Sequence, residues 1–537
     1  MRRAAGRVPA LCAAAGLALT AALLSGCELG GGSSPAKGSP KGSAPAPRPS
    51  GPLTKEARAM LGTHARIEVK QVERHADRSV LRLHLTNLNG SPSQFSFGTS
   101  LASAAFAELH FKLVDPVGRR IYHPLVDEGG KGRMVGSVTR TYYAHPGVRY
   151  ETVVHFPPLP EDVRAVTLIT PSTAGEFTGV PVVEGRGGTG PEAPVTEASV
   201  TPPRGSTVAL PVHTQNGQAP HRVNDLYGVA SGEVKTTSTT RSEQRIGLRA
   251  DVLFDFDKAT LTPRAKAVLD DVAAQTRAEA DPSRPPIVIT GHTDGKGAPA
   301  YNMPLSQQRA AAVLKELQAR LGTAYRYRAE GKGEKLPVAK EGGADDEKAR
   351  AKNRRVEISY QIKQERAETG TGTATGPVSP ALAPGRPAAF RPTDGRKVAG
   401  STIEFQLWGR PAKRRIDVRP FYRDGAYLVA VFDITNLGPG DLNIVDGYSD
   451  GGVGKFGAFT VTDPTSRITY EGVSIGAPTD AQGGRNIDRL DPGWATFLEK
   501  PSTTNRGFFY VPAPPSNVTS VTFNAGGFGK FHNVPVQ

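Results

Sequence analysis

The spacing of apolar residues divides the chain into two β-patterned outer regions and a different region between them. In the outer regions, short runs such as residues 80–85 and 427–434 are rich in alternating apolar residues, which is typical of half-buried β-strands. Asp-Pro, Pro-Gly and Asn-Gly pairs separate these runs and indicate turns. Many short strands over roughly 120 to 140 residues predict an all-β immunoglobulin-like sandwich for each outer region.

The region between them predicts strands that alternate with amphipathic helices. Val252, Phe254 and Phe256 recur at every second position and predict a strand buried on one face. Thr262 before Pro263 predicts the start of one helix, and Ser306 predicts the cap of another. Apolar stripes at helical spacing define their buried faces: Ala265, Val268, Leu269 and Val272, then Ala310, Val313, Leu314, Leu317 and Leu321. With strands at 287–290, 325–329 and 355–361, the order is β-α-β-α-β-β, an α+β sheet with helices on one face.

The two outer regions share four motifs in the same order, at a nearly constant separation. The pairs are Leu85-Thr86-Asn87-Leu88 with Ile434-Thr435-Asn436-Leu437; Asp115-Pro116, Arg119 and Tyr122 with Asp463-Pro464, Arg467 and Tyr470; Pro146-Gly147 with Pro492-Gly493; and Phe177, Val180-Pro181-Val182 with Phe531, Val534-Pro535-Val536. One tetrapeptide can recur by chance, but four ordered matches indicate a duplicated domain. We interpret the motifs themselves as turn chemistry.

The N-terminus predicts export and lipid attachment. Arg2, Arg3 and Arg7 precede an apolar run over residues 10–24 that is short for a membrane span and typical of a signal peptide. The run ends in Leu24-Ser25-Gly26-Cys27, which resembles a bacterial lipobox, and cleavage before Cys27 would leave a lipidated cysteine. The alternative is an ordinary signal peptide with a chance cysteine. The other of the 2 Cys, Cys12, would leave with the signal, so the mature chain would have neither a disulfide nor a cysteine nucleophile.

These patterns predict seven segments. They are a signal peptide at 1–26, a disordered tether at 27–60, a β-sandwich at 61–183, a linker with short strands at 184–243, a central α+β domain at 244–363, a Gly/Thr/Pro-rich linker at 364–397 and a second β-sandwich at 398–537. The tether is rich in Gly, Ser, Pro and Ala, a composition that cannot bury a core.

Charge favours an envelope partner over nucleic acid. The net charge is +15 and the pI is about 9.7, which for an exported protein points to anionic wall polymers and phospholipid head groups. The sequence has no helix-turn-helix, zinc-finger or RNP-type signature, so we expect no nucleic-acid partner. No metal-ligand spacing surrounds His292, and we expect no metal or other cofactor.

Four blocks in the central region together resemble the OmpA-like peptidoglycan-binding domain. They are Val252-Leu-Phe-Asp-Phe-Asp-Lys258, Gly291-His-Thr-Asp294, Asn302-Met-Pro-Leu-Ser-Gln-Gln-Arg309-Ala310 and Asn353-Arg354-Arg355-Val-Glu-Ile358. The resemblance covers residues 244–363, under a quarter of the 537 residues. It implies binding to the free amino-acid end of diaminopimelate in the stem peptide of the cell wall.

The resemblance also assigns roles to individual residues. Asp294, with Thr293 beside it, would hold the ammonium group of diaminopimelate, and Arg309 would hold the carboxylate. Asn302 would lie in the binding loop, while Asn353 and Arg354 would close the same groove.

Physical chemistry supports the pairing of Asp294 with Arg309. The end of diaminopimelate carries an ammonium and a carboxylate on one carbon, and Arg can grip a carboxylate through two hydrogen bonds. We expect Arg309 in the first turn of its helix, where unpaired backbone N–H groups also favour an anion. The alternative is a structural ion pair between Asp294 and Arg309.

The leading functional prediction is a lipoprotein that ties a membrane to peptidoglycan without a covalent bond to the wall. The membrane would be the outer face of the cytoplasmic membrane, or an outer membrane if one exists. The alternative is an envelope scaffold whose β-sandwich domains bind a protein or surface partner. We expect no enzyme, because the sequence has no Gly-x-Ser-x-Gly or His-Glu-x-x-His motif, although a catalytic carboxylate pair stays open.

Overall fold

The structure is a computed structural model of the chain. It describes residues 52–59, 62–98, 109–127, 133–139, 142–197, 199–214, 221–343, 346–363, 385–407, 410–440, 456–477, 488–492 and 500–537. The expected signal peptide, the Cys27 motif and the tether up to residue 51 lie outside these ranges. Within them, no helix combines the length and the apolar character that a membrane crossing needs.

The N-terminal outer region is all-β. Its strands are β1 Leu53–Arg58, β2 His64–Arg74, β3 Ser79–Asn87, β4 Lys112–Asp115, β5 Arg120–Tyr122, β6 Gly136–Ser137, β7 Arg149–Phe156, β8 Ala165–Ile169 and β9 Glu176–Glu184. β1, β2, β3 and β7 pair in antiparallel fashion, and β5, β4, β8 and β9 form a second antiparallel run. The predicted tether boundary at residue 60 is therefore wrong: β1 lies inside it, because Leu53 and Ala57 are buried in this core.

The C-terminal outer region is also all-β. Its strands are β18 Ala399–Leu407, β19 Arg410–Val418, β20 Tyr422–Asp424, β21 Tyr427–Gly438, β22 Thr460–Thr462, β23 Thr469–Glu471, β24 Ser474–Ile475, β25 Thr504–Pro512, β26 Ser520–Asn524 and β27 Lys530–Pro535. The run β18-β19-β21-β25 matches β1-β2-β3-β7 in order and direction. Both outer regions are strand-rich as predicted, and the immunoglobulin-like class stays a prediction.

Backbone details support the duplication. Arg119 and Arg467 occupy equivalent turns, and both have left-handed backbones, with φ values of 54° and 57°. The buried side chains of Asn87 and Asn436 each accept from the backbone N–H two residues on and donate to the carbonyl oxygen four residues on. The repeated Thr-Asn motif is therefore turn chemistry, as the sequence predicts.

The segment between the first outer region and the central domain forms strands that pair with strands of both outer regions. It contains β10 Thr207–Ala209, β11 Val212–His213, β12 Val223–Ser231 and β13 Lys235–Thr239. The first residues of β12 pair with β5, and its later residues pair with β24, β23 and β13. The predicted linker with short strands is thus built into the sheets of both outer regions.

The central domain contains three β-α steps and a closing strand. Its elements are β14 Glu243–Arg249, α1 Ala250–Leu253, α2 Pro263–Glu279, β15 Ile287–His292, α3 Pro299–Leu321, β16 Tyr327–Gly333, α4 Asp346–Asn353 and β17 Arg355–Gln361. The strand order β13-β14-β17-β15-β16 continues through β12 to β23, β22, β26 and β27. One sheet therefore runs from the central domain into the C-terminal outer region.

Two local predictions for this domain are wrong. The first strand is β14, and residues 250–253 form the helical turn α1. Phe254 is buried, but Phe256 is 96% exposed beside Asp257, whose left-handed backbone (φ 59°) makes a turn. The second predicted helix starts at Pro299 and not at Ser306, because Pro at the first helical position suits the helix N-terminus.

The predicted helix faces are confirmed. In α2 and α3 the predicted stripes point into one core, where Val268 and Leu314 are half-buried and the others are buried: Ala265, Leu269, Val272, Ala310, Val313, Leu317 and Leu321. The last strand, predicted at 355–361, has those bounds, and β16 starts two residues later than predicted.

The predicted linker at 364–397 is partly folded. Its described residues, 385–397, pack between the outer regions: the Phe390 ring stacks on Phe177 at 6.0 Å between centroids, and Thr178 donates to the carbonyl oxygen of Ala389. Its composition predicted a linker, but these contacts attach its described part to the N-terminal outer region.

Arg506 on β25 joins the two outer regions through a buried ion cluster. Its guanidinium donates to both carboxylate oxygens of Glu176 at 2.6 and 2.7 Å and to both of Asp394 at 2.6 and 2.8 Å. Tyr422 also donates to Glu176, and Lys55 donates to the Glu176 carbonyl oxygen. Burial works to raise the pKa of Glu176, but the charges of Arg506 and Lys55 outweigh it and lower that pKa, so the carboxylate stays ionised.

Candidate functional site

Two glycines set the distance between the sheet and α3. A Cβ at Gly291 would stand 2.0 Å from the backbone oxygen of Ser306, and a Cβ at Gly331 would stand 2.6 Å from the backbone nitrogen of Gln307. Only glycine allows β15 and β16 to approach the helix backbone this closely. Ser306 tightens the contact, because its hydroxyl accepts from the Gly333 N–H. The loop after β15 is thereby held against the first half of α3.

The side chain of Asn302, in the first turn of α3, supports this loop. Its side chain is buried, and its amide nitrogen donates to the carbonyl oxygen of Lys296 at 2.9 Å and to the carboxylate of Glu334. A buried amide with these partners fixes the backbone of the loop that carries Asp294. The structure thus places Asn302 in the first turn of α3 and not, as was expected, in the loop, and its side chain supports the loop that carries Asp294.

Asp294 lies in the loop two residues after the end of β15. The residue is 8% exposed. One carboxylate oxygen accepts from Arg354 Nη1 at 2.7 Å, and the other accepts from the Lys296 N–H at 3.2 Å. Each oxygen has a second lone pair, so the carboxylate can accept another donor. Thr293 lies beside it, and its buried hydroxyl oxygen has no hydrogen-bond partner among the described residues.

Arg309 is held in place without a carboxylate partner. It is 6% exposed, its Nε donates to the Lys258 carbonyl oxygen at 3.0 Å, and its guanidinium lies 5.3 Å from the centre of the Phe254 ring. Within the described ranges no carboxylate oxygen lies within ion-pair distance of it. Burial lowers the pKa of Arg309, against the raising effects of Asp251 and Asp257, and the group remains a cation. Its outer nitrogens can therefore receive an anion.

The other expected site residues have different roles from those predicted. Asn353 is fully buried: its side-chain oxygen accepts from the Val338 and Ala339 N–H groups, and its nitrogen donates to Ala339 and Glu341. It supports the neighbouring loop and has no capacity left for a ligand.

Arg354, and not Arg309, pairs with Asp294. The predicted alternative, an ion pair between Asp294 and Arg309, is therefore not found among the described residues. Arg309 also lies ten residues after the first residue of α3, so the expected contribution of free N–H groups at the helix start is wrong.

Sequence reasoning missed the residues that hold the two arginines. Asp251 accepts two hydrogen bonds from Arg354, although 103 positions separate the residues in sequence. Phe254 and the carbonyl oxygen of Lys258 hold Arg309. Residues 252–258 were identified as resembling the family, but they were predicted to form a strand, and that prediction did not indicate these contacts. The helical turn α1 is what turns Asp251 toward Arg354.

His292 gives the domain a defined sensitivity to acid. The ring is 2% exposed, and neither nitrogen has a hydrogen-bond partner among the described residues. Burial, with the charge of Arg355, lowers the pKa of His292 to about 4 from 6.5. The unfolded chain therefore takes up the proton first, so stability is complete above pH 6.5 and falls by about 3 kcal/mol as the pH drops toward 4.

We expect His292→Leu to lose that part of the pH dependence. Urea unfolding at pH 7 and pH 4.5, followed by circular dichroism at 222 nm, would report on α2 and α3. The matched control is His532→Leu, which replaces an exposed ring. An unchanged difference between the two pH values in His292→Leu would contradict this assignment.

Comparison with known proteins agrees with the geometry of the central domain. The OmpA family matches residues 253–354. Over 114 residues the chain is 43% identical to outer membrane protein A of Bordetella avium, covering 21% of this chain and 56% of that protein. For outer membrane protein A of Shimwellia blattae the identity is 40% over 121 residues, covering 21% and 49%. The chain thus spans about half the length of these curated relatives.

Two solved structures are also similar to part of the chain. The peptidoglycan-associated lipoprotein from Burkholderia pseudomallei is 32% identical, with 20% of this chain and 88% of that chain covered and a TM-score of 0.17. The cell wall anchor of the T6SS from Pseudomonas aeruginosa is 30% identical, with 24% and 88% covered and a TM-score of 0.21. From the family match and the identities over this segment, residues 253–354 belong to the OmpA family and form an OmpA-like domain within a longer chain.

Proposed function

We propose that this protein binds peptidoglycan non-covalently through its OmpA-like domain and ties a membrane of the cell envelope to the wall. The ligand is the zwitterionic end of diaminopimelate in the stem peptide. The observation that carries the proposal is Arg309, a buried cation that has no carboxylate partner among the described residues and whose charge interacts with that of Arg354, the partner of Asp294.

The charges of Asp294 and Arg309 match the ammonium and the carboxylate at the end of diaminopimelate. Both lie around Arg354, which donates to Asp294 and whose charge acts on Arg309. The ammonium group of the ligand supplies the further donor that Asp294 can accept, and its carboxylate supplies the anion that Arg309 lacks. Two nitrogens of a guanidinium match the two oxygens of a carboxylate.

Membrane attachment rests on the sequence at Cys27. Lipidation there, followed by the tether, would allow the folded part to reach the wall while the acyl chains stay in the membrane. We infer a binding protein and no enzyme, because the site is made of groups that recognise charge and lacks an evident nucleophile.

The scaffold alternative, in which the outer regions bind a protein or surface partner, is favoured by one observation. The sheet through β12 joins the outer regions to the OmpA-like domain, and the Arg506 cluster joins the outer regions to each other, so wall binding would hold any partner at a fixed orientation. Deleting residues 397–537 would not test this cleanly, because it would remove the partners of β12 in β23 and β24. Surface substitutions are the better test.

Co-sedimentation with isolated sacculi tests the proposed function. The chain from residue 28 onward should pellet with diaminopimelate-containing sacculi, and a soluble stem-peptide fragment should release it. Sacculi with lysine in place of diaminopimelate are the matched control, because lysine lacks the terminal carboxylate. Equal pelleting with both kinds would contradict the ligand, and no pelleting with either would contradict wall binding.

A further inference from the structure

Arg354 lies at the centre of three carboxylates. Its Nε and Nη2 donate to the two oxygens of Asp251 at 3.0 and 3.1 Å, its Nη1 donates to Asp294 at 2.7 Å, and Nη2 also donates to Glu347 at 2.8 Å. Four of the five N–H groups of the guanidinium thus donate to carboxylates, and the side chain is 22% exposed. The hydrogen bonds that Arg354 donates to Asp251 are the main cause that raises the pKa of Arg354.

In this arrangement Arg354 and the ammonium group of the ligand compete for the carboxylate of Asp294. Arg354 occupies one lone pair of the carboxylate that must also accept the ammonium group of the ligand. The bidentate pair with Asp251 balances the charge of Arg354 and holds its plane fixed. Without Asp251, Arg354 would bind Asp294 more strongly and would act as a surplus positive charge where a second cation must bind.

Asp251 also balances the charge of the whole site. Its carboxylate has the largest raising effect on the pKa of Arg309, so it acts on both arginines. Asp251 and Asp294 carry two negative charges and Arg309 and Arg354 two positive charges, while the third carboxylate, Glu347, is 66% exposed and its charge is screened by solvent. A site with this balance suits a ligand end that is itself neutral overall.

We propose that Asp251 is a positioning residue that sets the preference of the site for a zwitterion over a simple carboxylate. It does so by pairing with Arg354 and thereby leaving Asp294 available to the ammonium group. This inference rests on the proposed function, since it concerns the same ligand.

The test compares two probes that differ by one group. One is a stem-peptide fragment that ends in diaminopimelate, and the other is the same fragment with its terminal amino group replaced by hydrogen. Calorimetric titration of the chain from residue 28 gives the ratio of the two affinities. In Asp251→Asn we expect this ratio to fall about tenfold, because the site gains a net positive charge that favours the anion alone.

Two variants separate this role from a general structural one. Asp251→Glu keeps the charge and should keep the ratio. Glu347→Gln removes another Arg354 partner, but the Glu347 side chain is 66% exposed against 37% for Asp251 and accepts one hydrogen bond from Arg354 instead of two, so the ratio should change less than in Asp251→Asn.

An Asp251→Asn variant that binds both probes with the wild-type ratio would overturn the inference, and so would equal weakening for both probes. A folded wild-type chain that binds neither probe would overturn the proposed function itself, which is a different result.

Discussion

Replacing Arg506 by methionine should destabilise the folded chain by about 3 to 5 kcal/mol. The substitution keeps most of the length of the side chain but removes the charge between Glu176 and Asp394. Both carboxylates accept two hydrogen bonds from Arg506, and the Glu176 side chain is 2% exposed. Without the cation, two buried negative charges would face each other, which costs far more than the loss of one surface pair.

Urea unfolding measured by tryptophan fluorescence suits this prediction, because both tryptophans, Trp408 and Trp494, lie in the C-terminal outer region. The matched control is Lys413→Ala, which removes a pair with Glu404 whose side chains are 44% and 72% exposed. That pair should contribute under about 1 kcal/mol. If Arg506→Met lost no more stability than this control, the Arg506 cluster would not be what holds the outer regions together.

Removing either charge of the binding site should cost about 2 to 5 kcal/mol of binding free energy, which is roughly 30-fold to several thousand-fold in affinity. In Asp294→Ala the ligand ammonium loses its acceptor, and in Arg309→Ala its carboxylate loses its cation. Arg309→Lys should lie between these and the wild type, since it retains the charge but cannot donate two parallel hydrogen bonds.

The stability of each variant shows whether its loss of binding is caused by misfolding. Arg309 packs on Phe254 and donates to the Lys258 carbonyl oxygen, so Arg309→Ala should lose some stability, and its binding is measured at a temperature where circular dichroism shows that it is folded. Arg320→Ala is the matched control for binding, because Arg320 is near the other end of α3 and pairs with Asp270 and Glu316. Wild-type affinity in both Asp294→Ala and Arg309→Ala would show that the ligand binds elsewhere.

The sequence was informative where the signal is local. The stripes of α2 and α3 are buried as their spacing predicts, because an amphipathic helix has few ways to hide its apolar face. Asp294 and Asn302 come together because they flank one strand and one helix that glycine contacts bring close, and Arg309 lies farther along the same helix. The duplication was also visible, since turn residues such as Asn87 and Asn436 retain the same hydrogen bonds.

Local sequence patterns gave wrong predictions where one pattern fits two different structures. Ser306 has the residue type of a helix cap, but its hydroxyl donates to the Met303 carbonyl oxygen inside α3 and accepts from Gly333. Pro299 was the better signal for the helix start. Likewise, the apolar spacing of Val252, Phe254 and Phe256 fits a strand, yet Phe256 is exposed on a turn.

Contacts between distant residues had no sequence signal. Neither the Asp251–Arg354 pair nor the Arg506–Glu176 pair, which spans 330 positions, follows from periodicity. The contacts of residues 385–397 had no sequence signal either. Their Pro-rich composition predicts a linker, whereas Phe390 stacks on Phe177 and Asp394 accepts hydrogen bonds from Arg506. Tertiary packing decides these cases, and composition alone does not describe it.

Calorimetric titration of the wild-type chain from residue 28 with a diaminopimelate-containing stem-peptide fragment tests the central claim most directly. The whole folded part is used because β12 and β13 link the OmpA-like domain to the outer regions. We expect one site per chain and no detectable heat with the fragment that carries lysine. A folded chain that gives no heat with the diaminopimelate fragment, or equal affinity for both, would contradict the account.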